Sequence, residues 1–200
     1  MKLYVARTSP YARKIQVLIH EKDAAGLVQV LPVDPWTDPA ALHAAVPAGK
    51  VPALVTGDGW SLGESWAIAD YLDAVLPGRR LLPAEGAGRW RGLRLSALAQ
   101  GMTDAAFAAV IEGRRPEGER SPGWVARQMA AITRSLPALE AAVPDLRADG
   151  FGLGGLSVAV ALDYLDFRHA GLDWRGDCPA LAVWFAQNIG RSSLCATDPR

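Results

Sequence analysis

The chain has 200 residues, half of them hydrophobic, with 21 basic and 21 acidic side chains and an isoelectric point of about 6.8, enough apolar material for one large core or two smaller ones. The balanced charge argues against a nucleic-acid partner or an anionic membrane surface, and no apolar run approaches the roughly 18 residues of a spanning helix. The opening Met1-Lys2-Leu3-Tyr4-Val5-Ala6-Arg7 is too short an apolar run for a secretory signal, and two cysteines, Cys178 and Cys195, make neither a disulfide framework nor a zinc site; a cytoplasmic protein without a metal is the expectation.

Leu3-Tyr4-Val5-Ala6 has the length of a buried strand. After it, Thr8-Ser9-Pro10-Tyr11-Ala12-Arg13-Lys14 leads into a helix over residues 10–24, with Ile15, Leu18 and Ile19 on one face. Ser9 falls where an N-cap belongs and Pro10 where the first helical residue belongs, since Pro there loses no needed N–H. Gly26 punctuates, and residues 27–33 read as a second strand. Asp38-Pro39 repeats the cap-then-proline pattern before a short helix ending at Ala45. Residues 51–56 form a third strand with Pro52 near its start, Gly57-Asp58-Gly59 a hairpin turn, and residues 60–62 a brief return strand. Gly63-Glu64-Ser65 then opens a helix carrying Ile68, Tyr71, Leu72 and Val75 on one face, ended by Pro77-Gly78.

The order β-α-β-α-β-β-α matches a thioredoxin-like α/β domain, assigned to residues 1–78. Residues 79–88 read as a linker. Beyond them the pattern is helical throughout residues 89–200. A long helix over 89–112 is interrupted by Gly92 and Gly101, a second spans 124–143 with a kink at Pro137, a third, strongly apolar, covers 156–169, and a fourth covers 179–189.

Where a thioredoxin-like domain carries its redox Cys-x-x-Cys, this chain reads Ser9-Pro10-Tyr11-Ala12, so dithiol exchange is excluded there. Serine keeps a hydroxyl that can donate to a thiolate brought by a ligand, and the helix N-terminus adds partial positive charge. Both favour thiolate over thiol and lower the thiol pKa from about 8.5. Ser-Pro before an amphipathic helix is also an ordinary helix start.

The whole pattern resembles the glutathione S-transferase family, specifically the bacterial branch that reads Thr-Ser-Pro-aromatic-x-Arg-Lys, here Thr8 to Lys14. The resemblance covers essentially the full chain: Ser9-Pro10-Tyr11, Val51-Pro52, Glu64-Ser65 and an all-helical second domain. It implies conjugation of glutathione, as co-substrate and without a metal, to small hydrophobic electrophiles in a detoxifying homodimer. Ser9 would hold the thiolate. A cis Val51-Pro52 bond would let Val51 pair its main chain with the cysteinyl backbone, and Glu64 and Ser65 would hold the γ-glutamyl end. Lys50 meets the glycine carboxylate or is a solvated charge. Tyr11 walls the electrophile site, and Arg13 lies behind it or on the surface. Gln100 and Asp104 share a helix face, and in related transferases an acidic residue there reaches the neighbouring subunit's glutathione. Met102, Phe107, Tyr164 and Arg168 line a cleft or belong to the core.

The resemblance leaves two alternatives to conjugation: a non-catalytic scaffold that keeps the fold, or a specialised glutathione-dependent dehalogenase or isomerase. One departure stands out. The family's capping box at its buried penultimate helix is replaced by Gly152-Leu153-Gly154-Gly155, which predicts a weakened or irregular helix start, a lost cap being worth about 1 kcal/mol. Cys178, just before Pro179, sits where a helix start would lower a thiol pKa, and reads as a structural or adventitious thiol.

Overall fold

The computed structural model describes residues 1–200, which divide into two compact units, Met1–Ala84 with Arg191–Arg200, and Glu85–Gly190. The first contains strands β1 (Lys2–Val5), β2 (Gln29–Pro32), β3 (Ala53–Val55) and β4 (Ser61–Leu62), with helices α1 (Pro10–Glu21), α2 (Ala40–Ala45) and α3 (Ser65–Val75). The sheet order is β2-β1-β3-β4. β1 and β2 are parallel, joined by the α1 crossover, whereas β3 runs antiparallel to both β1 and β4. This mixed four-stranded sheet is the thioredoxin-like arrangement expected from the element order.

Leu3 pairs with Leu54 and Tyr4 with Ala53, so alternation sends Leu3, Val5 and Leu54 to one face and Tyr4, Ala53 and Val55 to the other. On the first face pack α1 and α3, whose Ile15, Leu18, Ile68 and Leu72 have no exposed surface. On the second, Leu42 and Ala45 of α2 close a smaller apolar cluster with Ala53. The expected apolar stripe of α3 is only half realised. Tyr71 is half-buried with its ring edge-on to Trp60 at 5.1 Å, and Val75 is half exposed. The inward position is taken instead by Asp73, 1% exposed, because Lys22 meets it there. Asp38 does not cap α2: it adopts a left-handed backbone, and Pro39 is the cap residue, without a side-chain bond.

The second unit is all-helical: α4 (Gly86–Gly113), α5 (Pro122–Ala141), α6 (Val143–Asp149), α7 (Leu153–Arg168) and α8 (Pro179–Asn188). α7 is buried without a break from Leu153 to Leu165 and forms the centre of the unit. α4 runs uninterrupted through Gly92 and Gly101, and α5 continues through Pro137. The glycines serve a close crossing. A Cβ on Gly154 would lie 2.8 Å from the Leu95 Cβ and 3.1 Å from the Gly92 carbonyl, so α7 meets α4 at a distance no side chain at 154 allows. Ser96 bridges the same crossing, donating to the Leu153 carbonyl at 3.1 Å and lying 3.1 Å from the Ser157 hydroxyl.

The start of α7 is irregular as expected, with Phe151 at φ +58° and no side-chain bond from the cap residue Gly152, but one of its N–H groups finds a remote acceptor. The helix begins at Leu153, and the third helical N–H, that of Gly155, donates to Asp149 Oδ2 at 2.7 Å. A carboxylate from the end of α6 does the work of the missing serine. α8 is capped in the same way: Ala180 and Leu181 donate to the two carboxylate oxygens of Glu140, from α5, at 3.0 and 2.7 Å.

Residues 191–200, read from sequence with the helical region, fold with the first unit and contain a last short helix, α9 (Ser192–Cys195). Charge explains the placement. Glu21, at the end of α1, accepts two bonds from Arg191 at 2.9 and 2.7 Å and one from the Ser193 hydroxyl. Arg13, inside α1, donates to the Leu194 carbonyl at 3.2 Å.

Candidate active site

The sheet topology brings one set of residues together. β1 ends where β3 begins, because the two are antiparallel, and β4 ends at the same edge because it reverses β3. The loop after β1 carries Ser9, the segment before β3 carries Val51-Pro52, and the turn after β4 carries Glu64-Ser65. Three segments separated widely in sequence thus converge at one end of one sheet.

Ser9 is the N-cap of α1 as expected: its Oγ accepts the Ala12 N–H at 3.2 Å. That bond uses an oxygen lone pair and leaves the hydroxyl hydrogen to donate outward, next to the partial positive charge of a twelve-residue helix. Pro10 is buried at the first helical position, and Tyr11 is half-buried beside it.

The Val51-Pro52 peptide bond is cis. Pro52 is buried and Val51 half-buried, and neither the N–H nor the C=O of Val51 takes part in a backbone hydrogen bond of the chain. Extending the β1–β3 register puts Val51 opposite Ala6, two residues past the last paired position, Tyr4 with Ala53. Lys50 is exposed.

Glu64 has φ +61°, a region that L side chains rarely adopt, and it is the cap residue of α3 without a side-chain bond to the helix. The first N–H groups of α3 therefore lack an internal acceptor. Ser65, the first helical residue, is 4% exposed, and Glu64 is exposed. A helix start with unspent donors and a hydroxyl is suited to a carboxylate, and the neighbouring Glu64 to an amine.

Other expected site residues take different places. Arg13 is not a surface charge: it is 3% exposed and holds the Leu194 carbonyl and, at 3.4 Å, the Thr197 hydroxyl. Met102 has no exposed surface and is a core residue. Phe107 is half-buried, and Tyr164, 4% exposed, stands on α7 one turn before Arg168. Gln100 and Asp104 share a face of α4 as expected, the amide donating to the exposed carboxylate at 2.9 Å. Cys178 occupies the N-cap position of α8 without a side-chain bond to the helix, and its thiol pKa is raised, first by burial and then by the charges of Glu140 and Asp177, opposite to the expected effect of a helix start. No group of three His, Cys, Asp or Glu comes together to hold a metal ion, and no helix is long and apolar enough to cross a membrane.

Sequence reasoning missed an ionic pair at the opposite, C-terminal ends of α1 and α3. Lys22 Nζ, fully buried, donates to Asp73 Oδ1 at 3.0 Å, to the Asp73 carbonyl at 3.1 Å and to the Arg79 carbonyl at 2.9 Å. Asp73 in turn accepts the N–H groups of Leu81 and Leu82 at 2.8 and 3.0 Å. Nothing in a Lys and an Asp 51 positions apart signals this pairing, save that Asp73 interrupts the apolar face of α3.

A thioredoxin-like domain with serine at the redox position, an open helix start at the same sheet edge and an all-helical companion unit define a class apart from the dithiol oxidoreductases. Family comparison narrows that class. Residues 3–80 match the glutathione S-transferase N-terminal domain and residues 122–187 the glutathione S-transferase C-terminal domain. The chain is 33% identical, over its full length and 98% of the relative, to the uncharacterized GST-like protein YibF of Escherichia coli K12. It is also similar to a glutathione transferase family member from Pseudomonas fluorescens Pf-5, solved with bound glutathione (40% identity, all of this chain and 98% of that one, TM-score 0.94). A glutathione S-transferase of Methylobacillus flagellatus KT, solved with glutathione bound, is similar over all of this chain and 99% of its own (36% identity, TM-score 0.92). The chain belongs to the glutathione S-transferase family.

Proposed function

We propose that the protein is a glutathione transferase that joins the glutathione sulfur to a small hydrophobic electrophile. The observation that carries the reading is the convergence of three unspent binding elements at one sheet edge: the Ser9 hydroxyl at the start of α1, the unpaired main chain of Val51, and the uncapped start of α3 with Ser65. Each meets one part of a γ-glutamyl tripeptide. The cysteinyl backbone adds to Val51 as a one-residue strand, and the γ-glutamyl carboxylate takes the α3 N–H groups and Ser65, with Glu64 toward the amine. The bound ligands of the Pseudomonas and Methylobacillus relatives support the same choice of tripeptide.

In this reading Ser9 donates its hydroxyl hydrogen to the sulfur and the α1 N-terminus adds positive potential, so the thiol releases its proton to solvent at neutral pH. The thiolate attacks an electrophilic carbon, the C–S bond forms, and the leaving group departs with its electron pair. The protein supplies pKa lowering and proximity and forms no covalent intermediate of its own. Titration calorimetry with glutathione, followed by conjugation of a generic aryl halide, tests the assignment. Saturable binding and turnover above the uncatalysed rate are expected. Absence of heat on titrating glutathione removes the transferase reading, and binding without turnover of any electrophile favours a scaffold.

A further inference from the structure

α1 is buried on two faces. Ile15 and Leu18 lie on the one packed against the sheet, while Arg13, Val17 and Glu21, four residues apart, form a second stripe. Val17 has no exposed surface, Arg13 is buried and the Glu21 side chain is almost covered. A stripe with an ion at each end needs partners that bond those ions, since a buried charge left without them is costly.

The segment 191–200 supplies such partners, and it runs antiparallel to α1. Arg191 and Ser193 meet Glu21 at the last turn of the helix. The Leu194 carbonyl and the Thr197 hydroxyl meet Arg13, near the first turn, at 3.2 and 3.4 Å. The main-chain oxygen of Arg200 accepts from the Arg7 guanidinium, in the loop that leads into α1. Leu194 is 1% exposed and Pro199 is buried, so the segment is packed as well as bonded.

Ser9 lies between the two arginines held at that end. Arg7 belongs to its own loop, and the main-chain N–H of Arg13 donates to the Ser9 carbonyl at 3.0 Å, so the clamped residue and the hydroxyl share one turn. We propose that residues 191–200 are a strap that positions the Ser9 turn, with Arg13 and Arg7 as the positioning residues through which it acts. Resting on the transferase reading, the strap sets how squarely the Ser9 hydroxyl and the start of α1 face the glutathione sulfur. Neither arginine touches the ligand, and the thiol pKa is where their loss is read.

Arg13→Met keeps the apolar stem of the side chain and removes its donors, Arg13→Lys keeps the charge, and Arg7→Gln loosens the second contact from an exposed position. The thiolate absorbance of bound glutathione against pH is expected to show the thiol pKa raised by about half a unit in Arg13→Met, a shift of about threefold in the thiol–thiolate equilibrium. A smaller rise is expected in Arg7→Gln and partial recovery in Arg13→Lys. Affinity for γ-glutamyl-alanyl-glycine, which lacks the sulfur, is expected to stay unchanged, because Val51 and the start of α3 are untouched. Without ligand, hydrogen exchange at Ala12, whose N–H is bonded to Ser9 Oγ, is expected to quicken severalfold in Arg13→Met while Leu18 stays protected. A thiol pKa that moves in neither Arg13→Met nor Arg7→Gln overturns the strap. So does an equal loss of affinity for glutathione and the sulfur-free tripeptide, the mark of general destabilisation. If the unaltered protein binds no glutathione, the transferase reading falls and exchange at Ala12 decides the strap alone: faster exchange in Arg13→Met upholds it, and unchanged exchange overturns it.

Discussion

In the proposed function Ser9 has two jobs that substitution can separate. Its oxygen accepts the Ala12 N–H at 3.2 Å and so caps α1, and its hydrogen is assigned to the glutathione thiolate. Ser9→Ala loses both. The lost cap costs about 1 kcal/mol, which lowers the melting temperature by roughly 2–4 °C in a chain of this size. A lost hydrogen bond to a charged sulfur is worth about 1.5–3 kcal/mol, so the bound thiol pKa is expected to rise by roughly one to two units. Ser9→Asp caps as well as serine but offers no hydrogen and adds a negative charge, so it is expected to keep the melting temperature while raising the thiol pKa further. Ser9→Thr is expected to keep both properties. The thiolate absorbance of bound glutathione, followed against pH for each variant, reads the chemistry, and thermal unfolding without ligand reads the cap. A thiol titration that does not move in Ser9→Ala refutes the assignment of the hydroxyl hydrogen, whatever happens to stability.

Further outcomes follow from the packing and the buried charges. Asp73→Ala leaves Lys22 buried without its counter-charge and strips the Leu81 and Leu82 N–H groups of their acceptor, so urea unfolding is expected to show a loss of about 3–5 kcal/mol. Gly154→Ala gains the helix preference of alanine, about 1 kcal/mol, but forces a Cβ to 2.8 Å from Leu95, and overpacking of about 1–3 kcal/mol makes a net loss the expected result; a stabilised variant would show that the α4–α7 crossing is looser than described. Asp149→Ala is expected to speed hydrogen exchange at Gly155 while leaving the middle of α7 protected. For Glu21, burial alone would raise the pKa, but the bonds from Arg191 and Ser193 and the charges of Arg191 and Arg79 outweigh it and hold the carboxylate below its ordinary value. Its stabilisation is therefore complete above the ordinary glutamate range and lost as pH falls through the lower folded value, and Arg191→Ala is expected to flatten that part of the stability-against-pH curve.

The first unit was legible because its signals are local: Ser9-Pro10 at a helix start, Gly57-Asp58-Gly59 at a hairpin, Glu64-Ser65 before an apolar stripe. The residues of the converging edge were named by the family resemblance, and the antiparallel pairing of β3 with β1 and β4 brings them together. What escaped depends on partners remote in sequence. The glycines at 152–155 read as a defect because the compensating carboxylate, Asp149, belongs to another helix, and Glu140 caps α8 from 40 and 41 positions away. Arg13 read as surface because charge predicts exposure, and only the folded-back segment 191–200 supplies its acceptors. Met102 was equally compatible with a wall and a core, since a helix stripe does not say which neighbour covers it.

The buried ions missed in sequence bear directly on the proposed chemistry. α1 ends at Glu21 and Lys22 follows as its cap residue, while Asp73 lies in the last turn of α3, so the Lys22–Asp73 pair ties the two helices together at their C-terminal ends. Glu21 fixes the same end of α1 through Arg191 and Ser193. Tethering there aligns the helices in parallel and leaves both N-termini, those of Ser9 and Ser65, at the opposite edge with their donors unspent. The separation of the two donors is then expected to follow the helix pair tied at its far end rather than the loops that carry them. A site that holds a flexible tripeptide at both its sulfur and its γ-glutamyl end needs that separation constant, because a shift of about 1 Å at the reacting atoms costs on the order of a hundredfold in rate. Asp73→Asn, which keeps the shape but weakens the tether, is accordingly expected to weaken glutathione binding as well as stability, although its side chain lies at the far end of α3 from the ligand. Unchanged affinity in a destabilised Asp73→Asn protein would show that the loops, not the helix pair, set the geometry of the site.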